Sequence, residues 1–270
     1  MQAARRAGVG LMRRFHHLGK LKVELKGPAN FVSAADRESE DLLRSMLLRR
    51  YPRRGFLTEE SAPTVGADAG TRFIVDPLDG TTNFLHGVPH FAIAVALQHE
   101  GEVVAGVVYD IPKDEMFVAE QGRGAYVNGH RLHVVRDRDL TRAVVAIGIP
   151  HSSSRHRHAR YLAVLSDVMH DAAGVRRMGA AALDLAYVAA GRFALFYELG
   201  LAPWDLAAGS ILVREAGGTV TEPDGGDVFL ESGDVLATNG RLHASTQALL
   251  RRATRRSASS KRRSRTSPRG

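Results

Sequence analysis

A chain of 270 residues, 44% hydrophobic and 24% charged, has an ordinary globular composition and can bury a sizeable core in one large or two small domains. It has no cysteine, which excludes disulfides, thiolate metal sites and cysteine nucleophiles and fits a reducing, cytoplasmic compartment. No apolar run approaches the ~18–20 residues of a membrane helix. The net charge of +8 belongs to one end: residues 251–270 carry nine Arg and Lys and no acid, leaving 28 basic against 29 acidic residues in the body. The body therefore offers no basic face for nucleic acid.

The first 23 residues lack acids and carry Arg5, Arg6, Arg13 and Arg14. They read either as an organelle transit segment or as an amphipathic helix with Val9, Met12, Phe15 and Leu18 on one side. Residues 36–50 are predicted helical, with Leu42, Leu43, Met46 and Leu47 on one face. Ser33 and Asp36 form a capping-box variant before them, and Tyr51-Pro52 ends them. Between residues 90 and 128 the period shortens. Phe91–Leu97, Val103–Tyr109 and Glu115–Ala119 read as strands of an antiparallel meander separated by turn signals.

A further strand is expected over Val144–Ile149 and a helix over 155–170. A small-residue helix follows over Ala180–Ala190, closed by Gly191. Then come a strand over Phe193–Tyr197, a helix over Asp205–Ala216, short strands over Thr219–Thr221 and Val235–Thr238, and a helix over His243–Arg252. This order predicts an α+β half over 1–140, an α/β half over 141–253 and, from Thr254 on, a disordered Ser/Arg-rich tail over 254–270.

The chemistry concentrates at Asp76-Pro77-Leu78-Asp79-Gly80-Thr81-Thr82-Asn83-Phe84, directly after the apolar run Phe73-Ile74-Val75. Two carboxylates lie three residues apart at the end of a strand. Pro77 fixes φ between them, and a glycine and two hydroxyl residues suited to starting a helix follow. The segment is either a polar turn or a rigid set of hard oxygen ligands beside free helix N–H groups, which suits magnesium and phosphate. It is no EF-hand loop, because it lacks the alternating acids and the glutamate at the twelfth position.

Two more acidic segments stand apart in sequence. Thr58-Glu59-Glu60-Ser61 ends the apolar pair Phe56-Leu57; it is either solvated surface or part of the same site. Pro203-Trp204-Asp205 precedes the small-residue stretch Leu206-Ala207-Ala208-Gly209-Ser210, where Asp205 is either a helix cap or a ligand. Glu198 ends a strand and is either a satisfied surface acid or an acceptor for substrate hydroxyls. His151, His156 and His158, interleaved with Arg155 and Arg157, read as a solvated segment, since no accompanying carboxylate marks a metal site.

In this order and spacing, Glu59-Glu60-Ser61, DPLDGTTNF and Trp204-Asp205-Leu206-Ala207-Ala208-Gly209 resemble the inositol monophosphatase family, closest to its bacterial branch. Lys26-Gly27-Pro28 to Asp36 is similar to the family's lysine loop and following acid. Arg177-Met178-Gly179-Ala180-Ala181-Ala182-Leu183-Asp184 is similar to its substrate-side helix start. The resemblance covers roughly residues 5–250 and implies the layered αβαβα sugar-phosphatase fold shared with fructose-1,6-bisphosphatase. It also implies a homodimer and hydrolysis of inositol-1-phosphate or a similar polyol phosphate.

Roles follow from the resemblance position by position. Glu59, Asp76 and the Leu78 carbonyl match the ligands of a first Mg²⁺; Asp76, Asp79 and Asp205 match those of a second, and Glu59 also helps hold a third. Thr81 and Asp36 match a pair that orients the attacking water. Gly80 and Thr81 match the phosphate cradle, and Glu198 the inositol-hydroxyl acceptor, with Gly179, Ala180 and Ala181 on the substrate wall and Lys26 in a loop over the site. Sensitivity to lithium is implied as well. Asn30, where the family often has Asp, and Ala180, where it often has Thr or Ser, leave the substrate open. Histidinol phosphate, fructose-1,6-bisphosphate and nucleotide 3′-phosphates remain alternatives. The basic tail adds a second reading, contact with RNA or the transcription machinery.

Overall fold

The computed structural model describes residues 1–20, 23–27, 30–149 and 155–266, the side chains of 20–33, 155–157 and 256–266 excepted. Helices α1 (Gln2–Phe15) and α2 (Ala34–Arg50) flank a two-stranded hairpin, β1 (Val23–Gly27) and β2 (Asn30–Ser33). A seven-stranded sheet follows. Its strands run in spatial order β3 (Gly55–Thr58), β4 (Thr71–Asp79), β5 (Ala92–His99), β6 (Glu102–Asp110), β7 (Glu115–Glu120), β8 (Gly124–Val127) and β9 (His130–Arg131). β3 and β4 are parallel and the rest is the expected antiparallel meander. The short helix α3 (Thr81–Leu85) leaves the end of β4.

The second half carries β10 (Val144–Ile147), α4 (Arg155–Asp171), β11 (Gly174–Arg176), α5 (Ala181–Ala189), β12 (Leu195–Glu198) and α6 (Pro203–Glu215). β13 (Thr219–Thr221), α7 (Phe229–Ser232), β14 (Val235–Thr238) and α8 (His243–Thr266) complete it. Its five strands order as β11-β10-β12-β14-β13.

Alternation along the strands builds the layers. In β4, Phe73 and Val75 pack with Ala4, Ala7, Leu11 and Leu43 of α1 and α2, whereas Ile74 faces the central helices α5 and α6. In β12, Phe196 joins those central helices, whereas Leu195 and Tyr197 pack with Tyr161, Val164 and Val168 of α4 and with Leu249 and Leu250 of α8. The result is the αβαβα layering that the family resemblance implied. Small residues let the middle layer approach closely: a Cβ on Gly106 of β6 would lie 2.7 Å from the Ala208 carbonyl of α6, and one on Gly209 would lie 2.4 Å from Leu185 Cβ of α5.

Three local expectations are corrected. The buried face of α1 is Ala4, Ala7, Gly8 and Leu11, and Val9 is exposed. The helix lies so close to the sheet that a Cβ on Gly8 would sit 2.7 Å from Tyr109 Cε1, so small residues make the seat while Met12, Phe15 and Leu18 pack at its margin. The helix containing Asp205 starts two residues earlier than expected, at Pro203, a residue preorganised for a first helical turn. The tail expected to be disordered from Thr254 continues α8 to Thr266. Leu249, Leu250 and Ala253 dock that helix on the second sheet, so nucleation is already complete and the many Arg and Lys residues, good helix formers, extend it. Ser33, Lys26, and His151 and His156 of the histidine segment fall at positions whose side chains lie outside the described residues.

Candidate active site

The site forms at the carboxyl end of β4. A regular strand would send Asp76 and Asp79 to opposite faces, because side chains alternate with period two. The pairing with β5 instead shifts register between them: Asp76 lies opposite Ala94 and Asp79 opposite Ala92. Three steps along β4 thus match two along β5, a bulge at Pro77-Leu78 that turns both carboxylates to one side. The Leu78 N–H donates to Asp76 Oδ1 at 2.9 Å and locks the bulge.

Asp205 reaches the same point from α6, where it occupies the first turn. Its Oδ2 accepts the Ala202 N–H at 2.7 Å, so Asp205 caps the helix from inside while its carboxylate faces β4. One oxygen from each of Asp76, Asp79 and Asp205 lies within 4.8 Å of the others. Asp79 Oδ2 also accepts the Ala182 N–H at the start of α5 at 2.9 Å, where the helix dipole favours an anion.

Burial dominates the electrostatics. Asp76 is 1% exposed and its carboxyl is held well above the usual range, first by desolvation and then by the charges of Glu59, Asp79 and Asp205. Desolvation also raises Asp79 to about 7 against the lowering effect of the α5 amides, and raises Asp205 to about 7 with Asp79 adding to it. Acids this close resist losing all their protons unless positive charge is added. The donors are hard carboxylate oxygens with no imidazole or thiolate among them, a set that fits magnesium.

Glu59 enters through strand register. Thr58 pairs with Val75 at the end of the parallel β3–β4 ladder, so the next residues, Glu59 just past β3 and Asp76 within β4, lie side by side, close enough for the charge of Glu59 to raise the Asp76 carboxyl. Thr81 begins α3 after Gly80, which sits at φ +87°, and a Cβ there would meet the His90 carbonyl at 3.0 Å and Ala180 Cβ at 3.3 Å. Thr81 Oγ1 lies 3.1 Å from Asp36 Oδ1 and 3.0 Å from the Leu78 carbonyl, so its single proton serves one of two acceptors. Asp36 is fully buried in the first turn of α2.

Glu198 lies at the end of β12, and desolvation followed by the charge of Asp184 raises its carboxyl well above the usual range. Its carboxylate crosses the end of β10 so closely that a Cβ on Gly148 would fall 1.8 Å from Glu198 Cδ. Gly179 is left-handed at φ +82°, and Asn83 Nδ2 donates to the Met178 carbonyl at 2.9 Å, tying α3 to the turn before α5. Ala180 and Ala181 are buried and pack into the central core.

Some residues were not singled out from sequence. Glu40, Ser39 and Asp184 are buried at the site; desolvation raises the Asp184 carboxyl, and its Oδ1 has no hydrogen-bond partner among the described residues. The first two had a signal: Asp36, Ser39, Glu40 and Leu43 follow the i, i+3, i+4, i+7 spacing of one helix face.

The profile of the inositol monophosphatase family matches residues 1–257. The chain belongs to the inositol monophosphatase family. Among its relatives, an inositol-1-monophosphatase of Rhizobium meliloti (strain 1021) is 49% identical over 93% of this chain and 94% of its own. The Nus factor SuhB of Escherichia coli (strain K12) is 39% identical over 90% of each. The crystal structure of extragenic suppressor protein suhB from Bartonella henselae superposes with TM-score 0.90 at 47% identity, over 92% of this chain and 95% of that one. Among the described residues of this family member, no helix is long and apolar enough to cross a membrane.

Proposed function

We propose that this protein is a Mg²⁺-dependent phosphomonoesterase that hydrolyses inositol-1-phosphate or a similar polyol monophosphate. The observation that carries the reading is the convergence of Asp76, Asp79 and Asp205 within 4.8 Å, with Thr81 hydrogen-bonded to Asp36 beside them. Glu59, Asp76, Asp79, Asp205 and the Leu78 carbonyl are the groups that would hold two to three ions. Bound magnesium supplies charge neutralisation for the phosphate, activation of water and stabilisation of the departing alkoxide.

The chain's own groups do the orienting. Gly80 and Thr81 present backbone N–H groups to the phosphate where the first turn of α3 leaves them without intrahelical acceptors. Thr81 Oγ1, donating to Asp36 Oδ1, keeps its lone pairs for a hydrogen bond from the attacking water. The water oxygen is thereby aimed at phosphorus, its proton passing toward the Thr81–Asp36 pair. The new O–P bond forms as the bond to the polyol oxygen breaks, and that oxygen takes a proton from solvent. Glu198 accepts substrate hydroxyls, which favours a polyol over a ligand with a second phosphate at that position. The test is phosphate release with Mg²⁺ across inositol-1-phosphate, histidinol phosphate, fructose-1,6-bisphosphate, glycerol-2-phosphate and adenosine 3′,5′-bisphosphate. The reading expects inositol-1-phosphate to lead; preference for the bisphosphates would overturn it.

A second reading concerns the tail. The Escherichia coli relative is named a Nus factor, and residues 251–270 of this chain carry nine cationic side chains. We propose that this segment adds a salt-dependent contact with RNA of the transcription machinery. Gel-shift titration of the full chain against a version ending at residue 250 tests it; equal weak binding by both would dismiss it.

A further inference from the structure

We propose that Glu40 is a positioning residue that holds Glu59 against the carboxylate cluster, an inference that rests on the metal reading above. Glu59 is the ligand with the least support from its own strand. The β3–β4 ladder ends at the Thr58–Val75 pair; the chain returns to pair with β3 at the Phe56–Thr64 bridge before β4 begins at Thr71, and Glu59 lies in neither pairing. Glu59 therefore sits one residue beyond the last ladder position.

Glu40 supplies what the sheet does not. It is 1% exposed on α2, one turn after Asp36. Its Oε1 accepts the Thr58 hydroxyl at 2.9 Å and its Oε2 accepts the Glu60 N–H at 2.9 Å. These donors belong to the two residues that bracket Glu59. A single carboxylate thus fixes the chain on both sides of the ligand without using the ligand itself.

The same helix face reaches the other half of the site. Ser39 Oγ donates to the Pro77 carbonyl at 2.8 Å, inside the bulge between Asp76 and Asp79. Asp36 holds Thr81. Positions 36, 39 and 40 lie on one side of the helix, so α2 is one rigid ruler for two segments that the sequence separates, 58–60 and 77–81. Metal ligands set this way need their supporting groups nearly as much as their own oxygens.

The chemistry separates positioning from charge. Glutamine at position 40 can place its carbonyl oxygen on the Glu60 N–H and its amide on the Thr58 oxygen, because a hydroxyl either donates or accepts. Alanine can do neither. Thr58→Val removes one of the two anchors and leaves the backbone anchor in place.

The experiment is calorimetric titration of Mg²⁺ into the metal-free full chain, wild type and variants, with thermal unfolding alongside. Glu40→Ala is expected to weaken Mg²⁺ binding about 10–100-fold. Glu40→Gln is expected to stay within roughly threefold of wild type, its hydrogen bonds being preserved, and Thr58→Val to fall between them. Unchanged affinity in Glu40→Ala, with only a lower melting temperature, would overturn the assignment and leave Glu40 a stabilising residue. Equal losses in the Gln and Ala variants would overturn it in favour of a charge effect. If Glu40→Ala does not fold, Thr58→Val decides, and wild-type affinity there overturns the assignment. Absence of Mg²⁺ binding by the wild type would instead remove the metal reading itself, a result distinct from failure of Glu40's role.

Discussion

Thr58 and Val75 are partners in a parallel ladder, and that single register places Glu59 beside Asp76. Parallel strands need a crossover, here the segment between β3 and β4, and its effect is that two acids from separate segments leave the same sheet edge together. Asp76 and Asp79 are then brought to one side by the bulge, and Asp205 arrives on α6 from the central helical layer. The cluster is a product of register, bulge and layer packing at once.

Gly80→Ala is expected to damage the site more than the fold. Its left-handed φ of +87° costs a non-glycine residue roughly 1–2 kcal/mol, and the new Cβ would press on the His90 carbonyl at 3.0 Å. The shift moves the Gly80 and Thr81 N–H groups that we assign to the phosphate. A rise in KM for inositol-1-phosphate together with a fall in kcat is expected; unchanged kinetics would remove Gly80 from the cradle.

Gly148→Ala tests the substrate side without touching an acid. A Cβ at position 148 would overlap the Glu198 carboxylate, with 1.8 Å to its Cδ, so Glu198 must turn away. Turnover of inositol-1-phosphate is expected to fall relative to a small aryl phosphate that has no hydroxyls for Glu198. Equal losses on both substrates would mean that Glu198 does not read the alcohol.

Magnesium binding should weaken as pH falls through neutrality. In the metal-free protein Asp79 and Asp205 are raised to about 7, so below that pH each binds a proton that the ion must displace. Affinity is expected to increase from pH 6 to pH 8 with net proton release, read by calorimetry in buffers of different ionisation enthalpy. A pH-independent affinity without proton release would contradict the raised values.

His90 sets an acid limit on stability. Desolvation, with Lys113 nearby, lowers it from 6.5 to about 4, and its Nε2 has no hydrogen-bond partner among the described residues. The unfolded chain takes up this proton near pH 6.5 and the folded chain does not. The stabilisation is thus complete above about pH 6.5 and is lost as pH falls toward 4, on the order of 3 kcal/mol. His90→Gln is expected to flatten this part of the stability profile; an identical acid limb would show that other groups set it.

The reach of the sequence depended on how local each feature was. Asp76, Asp79, Gly80 and Thr81 are contiguous, and the strand before them and the helix start after them have strong local signals. The meander was legible because its strands are short β-type runs, AIAVALQH, EVVAGVVYD and EMFVAE, separated by turn residues, Gly101, Pro112-Lys113-Asp114 and Gly122. The β1–β2 hairpin was missed although Val23-Glu24-Leu25-Lys26 alternates, because the stretch from Lys26 to Asp36 reads as a loop. Glu40 was missed because an acid in the charged run Asp36-Arg37-Glu38-Ser39-Glu40-Asp41 looks solvated until the Thr58 and Glu60 donors are brought to it by the fold. The α1 face was displaced because glycine and alanine, weak hydrophobic signals, make the closest contact there.

The most direct measurement is Mg²⁺-dependent phosphate release from inositol-1-phosphate by the wild type and by Asp79→Asn. The amide keeps an acceptor for the Ala182 N–H, which Asp79 now accepts at 2.9 Å, so the fold should be retained by circular dichroism. The wild type is expected to release phosphate only with Mg²⁺, and the variant to fall to background. Turnover near the wild-type rate by a folded Asp79→Asn, or release that does not depend on Mg²⁺, would contradict a metal-dependent phosphatase centred on these acids.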